Sequence, residues 1–155
     1  MTKSLLIFFN PIILLLKQNL TLSLQNSSKD MFSYRSQLRT MLIKTSGVNG
    51  CVDKHHVIPQ QYKDHAVFIK LNYQIHSSYN IAIVANANFK KHSLFYKFPG
   101  ILIHEGGHLK YNKYVKDNLD EINYFSEEEM KFRFWLFHSH LKDSIDNNCK
   151  NIPWN

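Results

Sequence analysis

One stretch of the chain, residues 104–122, reads HEGGHLKYNKYVKDNLDEI. Its apolar residues recur at three- and four-residue spacing, which predicts an amphipathic helix. His104 and His108 are four residues apart. On a helix their imidazoles would project from the same face about one turn apart and could hold one ion. Such a pair needs a third ligand before it predicts a metal site.

A second histidine pair, His55 and His56, lies in a short segment that we expect to be extended, because Pro59 disfavours helix at the residue before it. Adjacent side chains of a strand point to opposite sides, so one imidazole could face a metal while the other faces a substrate water. The alternative is one core histidine beside a solvated one. We assign no role to the other five histidines, which are His65, His76, His92, His138 and His140.

The rest of the sequence predicts few elements. Apolar spacing over residues 30–44 indicates a helix, and the β-branched, apolar residues 79–84 indicate a buried strand. Ser126 and Glu129 form a capping box that predicts the start of a C-terminal helix. The expected order is helix, strand, strand, helix, helix, with a hairpin-like strand pair.

A length of 155 residues suits one compact domain. We divide the chain into an apolar N-terminal leader or packing segment (1–30), a core (31–125) and a C-terminal helical extension (126–155). The apolar run 5–16 is too short to span a bilayer, and Pro11 interrupts it. It permits secretion or membrane contact but is followed by no clear cleavage site, so it fixes no localisation.

The spaced elements together resemble the AHH group of HNH/endonuclease VII-type nucleases, also called His-Me finger or ββα-metal nucleases. The resemblance rests on HHVIP at residues 55–59, on Asn80 before an apolar strand, and on the pattern HxGxHxxYxxxVxxxL from His104 to Leu119. It covers roughly residues 50–122. Several spaced elements in one order are much more specific than any one of them.

The resemblance implies an α+β fold: a small β-hairpin on a metal-binding helix, the ββα-metal core, with additional flanking helices. It implies one divalent ion, with Zn, Mg, Mn and Ni not distinguished. His55, His104 and His108 would be the metal ligands and His56 the general base. Asn80 would hold the hairpin loop and so orient the strand that carries the base.

The implied activity is metal-dependent hydrolysis of phosphodiester bonds by a single-metal, histidine-general-base mechanism. The formal charge of +7 suits a nucleic-acid partner, with DNA favoured over RNA. Lys54, which replaces the family's alanine, and Lys110 and Lys113 are candidates for phosphate contacts. The sequence identifies no inhibitor or assembly partner.

Two alternatives stay open. The first is a zinc metallopeptidase, because residues 104–108 also fit H-E-x-x-H, in which Glu105 would activate water. Against it, two consecutive glycines should cost a helix about 1 kcal/mol each, no third ligand stands at a convincing spacing, and His55 and His56 go unexplained. The second is an inactive protein that keeps the HNH fold for binding or structure.

Overall fold

The described part of the chain contains three strands and four α-helices, joined by loops and short 3-10 helices, which confirms the predicted α+β class. The computed structural model describes residues 37–97, 100–147 and 152–154. In chain order the elements are α1 (Gln37–Thr45), β1 (Val52–His56), α2 (Ala66–Leu71), β2 (Ile81–Asn86), β3 (Ile103–His104), α3 (Leu109–Ile122) and α4 (Glu127–Asp146).

The strands form one sheet in the order β1-β2-β3. β1 and β2 are antiparallel, with His55 opposite Ala82 and His56 opposite Ile81. The predicted strand pair is therefore present, although residues 57–80 connect it rather than a tight turn. β3 pairs in parallel with the end of β2 and brings His104 beside Asn86. Within the described residues β1 is an edge strand.

The central strand β2 is buried on both faces, which explains its almost uninterrupted run of apolar residues. Ala82 and Val84 belong to the cluster formed with α3 and α4, whereas Ile83 and Ala85 belong to the cluster on the α1 side. The sheet therefore separates two layers of packing, and the histidine-bearing end of β1 lies between them.

The predicted helix does not begin at His104. His104 lies on β3, His108 is the N-cap residue of α3, and the first helical residue is Leu109. Gly106 adopts φ +96°, a left-handed conformation that favours glycine and turns the chain between strand and helix. The placement of both histidines on one helical face was therefore wrong, and the two glycines explain why.

The C-terminal helix α4 begins where the capping box predicted. The Ser126 hydroxyl accepts a hydrogen bond from the Glu129 N–H at 3.4 Å. Three glutamates in the first turn complement the positive end of the helix dipole. Met130, Phe134 and Leu141 are buried in the same cluster as α3, so α4 covers one face of the sheet.

The predicted leader (1–30), with its apolar run 5–16, lies outside the described residues. Among the residues that the structure does describe, no helix combines the length and the apolar character that crossing a membrane requires.

His138 on α4 gives a pH-dependent contribution to stability. It is buried beside Tyr73, whose hydroxyl lies 3.0 Å from His138 Nε2, and burial, followed by the charge of Lys142, lowers the pKa of His138 from 6.5 to about 4. The unfolded chain therefore binds this proton more tightly, and stability is lost as the pH falls from 6.5 towards 4. When the pH falls from 7 to 4.5, the free energy of unfolding should decrease in both proteins. We expect this decrease to be about 2 kcal/mol smaller in His138→Phe than in the wild-type protein. Urea denaturation at both pH values measures this difference, and equal losses in the two proteins would contradict it.

Candidate metal centre

Three imidazoles from three different elements lie close together in the fold. His55 comes from β1, His104 from β3, and His108 from the residue that precedes α3. Their ring centroids are 5.1 Å (His55–His104), 5.3 Å (His55–His108) and 4.8 Å (His104–His108) apart. Each ring offers one nitrogen such that all three atoms lie within 4.8 Å of one another. Three nitrogens at this separation could hold a single ion.

A carboxylate orients His104. Asp53 Oδ2 lies 2.7 Å from His104 Nδ1, and Asp53 Oδ1 accepts a hydrogen bond from Asn86 Nδ2 at 3.0 Å. The aspartate accepts the Nδ1–H of His104, which leaves the Nε2 atom of this ring as the one that could bind a metal. Histidine ligands in metalloproteins are commonly held by a carboxylate in this way.

The other two imidazoles are held by aromatic packing. The Trp154 ring lies 4.3 Å from the ring of His108 and 4.9 Å from that of His55. His108 Nδ1 donates to the Trp154 carbonyl at 3.1 Å, which leaves Nε2 as the atom of this ring that could bind a metal. His55 Nδ1 is buried and has no hydrogen-bond partner among the described residues.

The donor set fits a divalent ion. A buried polar atom without a partner usually has a physical explanation, and a metal bond would satisfy His55 Nδ1. Burial, together with the neighbouring His104 and His108, lowers the pKa of His55 to about 3, and a metal ligand must be neutral imidazole. Three protein ligands leave coordination positions for substrate, as a catalytic site requires.

His56 lies next to His55 on β1 but faces the other side of the strand. Its Nε2 is 3.0 Å from Nδ1 of His76, and the two rings are T-shaped with centroids 5.1 Å apart. Burial, followed by the charge of His76, lowers the pKa of His56 to about 4. At neutral pH the imidazole of His56 is therefore uncharged and able to accept a proton.

Asn80, fully buried before β2, fixes the chain after the histidine pair. Its Oδ1 accepts from the Ile58 N–H at 2.7 Å, and its Nδ2 donates to the carbonyls of Ile58 at 3.0 Å and Ile75 at 2.8 Å. The Asn80 carbonyl also accepts from the Val57 N–H at 2.7 Å. The side chain thus joins the end of β1 to the segment that precedes β2.

The three candidate lysines have different surroundings. Lys54 donates to Thr40 Oγ1 at 2.9 Å, and burial and then Arg39 lower its pKa. Lys113 pairs with Asp117 at 2.6 Å one helical turn away. Lys110 is exposed in the first turn of α3. Lys110 and Lys113 lie on α3, which begins directly after His108, whereas Lys54 lies between Asp53 and His55 on β1.

The helix that the zinc-peptidase alternative requires does not form, because residues 104–108 run from a strand through a glycine turn to a helix cap. Glu105 is half-exposed and pairs with Lys90. It lies outside the three-histidine cluster. The geometry therefore does not give Glu105 the place that an H-E-x-x-H enzyme needs.

Three neighbours of the site, which are Asp53, Trp154 and His76, were not identified from the sequence. Asp53 could have been found, because residues two apart on a strand share a face and Asp53 precedes His55 by two. No spacing in the sequence indicates Trp154 or His76. Trp154 lies 46 residues after His108 and His76 lies 20 residues after His56, and only the fold brings each pair together.

Removing the carboxylate of Asp53 should weaken metal binding. We expect Asp53→Ala to lower the affinity for Co²⁺ or Zn²⁺ by about 10- to 100-fold, because His104 would lose the partner that fixes its tautomer and ring orientation. Titration against a chromophoric chelator measures the affinity. Asp64→Ala is the matched control, since the Asp64 side chain is 85% exposed; similar affinities in the two variants would contradict the role of Asp53.

Comparison with known proteins identifies a matching family. A family model described as a nuclease family of the HNH/ENDO VII superfamily with conserved AHH matches residues 38–133, which is more than half of the chain. The matched range includes β1, Asn80 and the three clustered histidines. Comparison with curated proteins and with solved structures gave no match.

Proposed function

Because the chain belongs to the AHH family of nucleases in the HNH/endonuclease VII superfamily, we propose that it is a metal-dependent endonuclease with His56 as its general base. The observation that carries the proposal is the cluster of His55, His104 and His108 with ligand atoms within 4.8 Å. Membership of the family indicates that the protein acts on nucleic acid. The histidine cluster supports the metal dependence and the mechanism that we propose.

His55, His104 and His108 would hold one divalent ion. Hydrogen bonds orient two of these rings. His104 is bonded to Asp53, and His108 is bonded to the Trp154 carbonyl. Imidazole ligands favour Zn, Ni, Co or Mn over an all-oxygen magnesium site, although substrate oxygens can make Mg workable. When bound, the ion would supply Lewis-acid stabilisation of the negative charge on the phosphoryl and leaving oxygens.

The proton transfer falls to His56. A water in line with the leaving oxygen forms a bond to phosphorus while the P–O3′ bond breaks, and His56 takes the proton of that water. The leaving oxygen takes a proton from solvent. The products are a 3′-hydroxyl and a 5′-phosphate. Because His55 and His56 face opposite sides of β1, a phosphate at the edge of this strand would lie between ligands and base.

The substrate would approach along the edge of β1 that faces away from β2. Within the described residues only β2 pairs with β1, and Lys54 lies on β1 itself. Lys110 and Lys113 on α3 add positive charge on the helix that follows His108. These lysines would contact phosphates rather than bases, so we expect weak sequence preference. We favour DNA over RNA as the substrate.

A plasmid-nicking assay tests the function. Wild-type protein should convert supercoiled plasmid to the relaxed form with Mg²⁺, Mn²⁺, Ni²⁺, Co²⁺ or Zn²⁺, and EDTA should stop the reaction. Structured RNA in the same assay ranks the two substrates. No cleavage of either substrate with any of these ions would overturn the proposal and favour the binding or structural alternative.

Glu105→Gln distinguishes the nuclease from the peptidase alternative. Glu105 pairs with Lys90 and stands outside the cluster, so this variant should nick plasmid as fast as wild type. Casein hydrolysis that is lost in Glu105→Gln would instead favour a peptidase.

A further inference from the structure

His76 has no role in the chemistry described so far, yet it contacts the proposed base. His76 Nδ1 lies 3.0 Å from His56 Nε2, and the ring centroids are 5.1 Å apart at an interplanar angle of 66°. A hydrogen bond between two neutral imidazoles requires one nitrogen to carry the proton and the other to accept it. The direction of this hydrogen bond therefore determines which tautomer His56 adopts.

The segment that carries His76 is fixed by the same side chain that fixes the end of β1. Asn80 Nδ2 donates to the carbonyl of Ile75, directly before His76, and to that of Ile58, two residues after His56. A turn closes behind His76, where the Ser77 N–H donates to the Gln74 carbonyl at 2.9 Å. Both imidazoles therefore extend from backbone that one buried amide holds in place.

We propose that His76 is a positioning residue for His56: its Nδ1 accepts the Nε2–H of His56 and holds that ring with its proton-accepting lone pair on Nδ1. The inference rests on the proposed function, since it assigns the nitrogen through which the base works. In the transfer step the proton of the attacking water goes to His56 Nδ1, and the Nε2–H stays hydrogen-bonded to His76. The imidazolium that forms keeps a hydrogen-bond acceptor for its second N–H.

The direction of this hydrogen bond matters chemically. If His76 donated instead, its proton would occupy the Nε2 lone pair of His56, and His56 Nδ1 would carry a proton and could not accept another. The two directions thus predict opposite tautomers of His56. A base held in the wrong tautomer loses most of its catalytic effect even where the geometry is intact.

Two substitutions of His76 distinguish the effect of its hydrogen-bond acceptor from the effect of its ring. His76 is exposed, so replacing it should leave the fold intact. In His76→Asn the Oδ1 atom is attached to Cγ, as Nδ1 is in histidine, and it keeps an acceptor; His76→Phe keeps a ring without one. We expect His76→Phe to lower kcat by about 10- to 100-fold with little change in KM, and His76→Asn to retain most of the activity. Full activity in His76→Phe, or equal losses in both variants, would overturn the inference.

The tautomer itself is a readout that does not depend on activity. In the metal-free protein at neutral pH, ¹⁵N imidazole spectra should show His56 protonated on Nε2 in wild type and His76→Asn, and a mixture of tautomers in His76→Phe. Protonation of His56 on Nδ1 in wild type would overturn the inference. If the wild-type protein cleaves no nucleic acid while His56 keeps the expected tautomer, the proposed function fails and the role of His76 in setting the tautomer stands.

Discussion

Replacing His56 with alanine is expected to lower the rate of plasmid nicking by about 10²- to 10⁴-fold, the usual contribution of a positioned general base. His55 is not expected to take over, because it is engaged in the cluster on the opposite face of β1. Initial rates at saturating metal ion measure the loss. Metal affinity should stay near that of wild type, because His56 lies outside the three-histidine cluster.

His140→Ala is the matched control for this loss. His140 is exposed on α4, far along the chain from the proposed machinery, and its replacement should leave the nicking rate unchanged. Nicking by His56→Ala at the wild-type rate would exclude His56 as the base. A rate lost together with metal affinity would instead make His56 a ligand.

Replacing His55 with alanine should lower the affinity for Co²⁺ or Zn²⁺ by more than about 100-fold. Loss of a carboxylate that only orients a ligand costs about 10- to 100-fold in metal affinity, and loss of one of three ligands should cost more. Nicking should fall in parallel at limiting metal. Competition with a chromophoric chelator gives the affinity, and the visible spectrum of bound Co²⁺ reports the change in coordination.

The folded state should tolerate this substitution. His55 Nδ1 is a buried atom that finds no hydrogen-bond partner among the described residues, so its removal ends an unfavourable burial. Urea denaturation of the metal-free protein should therefore show no large loss of stability. A metal affinity in His55→Ala within a few-fold of wild type would exclude His55 as a ligand.

Elements whose signals are local could be predicted from the sequence. The start of α4 follows from Ser126 and Glu129, and the buried strand β2 follows from its apolar run, displaced by two residues from the predicted 79–84. β3 has only two residues and exists because β2 provides an edge for it to pair with. A pairing partner that distant cannot be read from two residues.

The same difference between local signals and distant contacts applies to the candidate site. The three clustered histidines could be predicted because their order and spacing resemble a known pattern, and the structure brings them together. Their supports could not be predicted so readily. Trp154 and His76 are brought to the histidines only by the tertiary fold. The predicted start of the helix was wrong because the four-residue spacing of His104 and His108 was interpreted as helical, whereas the chain bends at Gly106.

Because of its position, Trp154 can serve as an intrinsic fluorescence probe of the histidine cluster. Its indole lies 4.3 Å from the ring of His108 and 4.9 Å from that of His55, and the sequence has only one other tryptophan, Trp135 on α4. In Trp135→Phe all indole emission would come from beside the cluster. Paramagnetic Co²⁺ or Ni²⁺ in that cluster should quench the fluorescence, whereas Zn²⁺ should leave most of it. Ion occupancy could then be followed by emission in the protein that is also nicking plasmid.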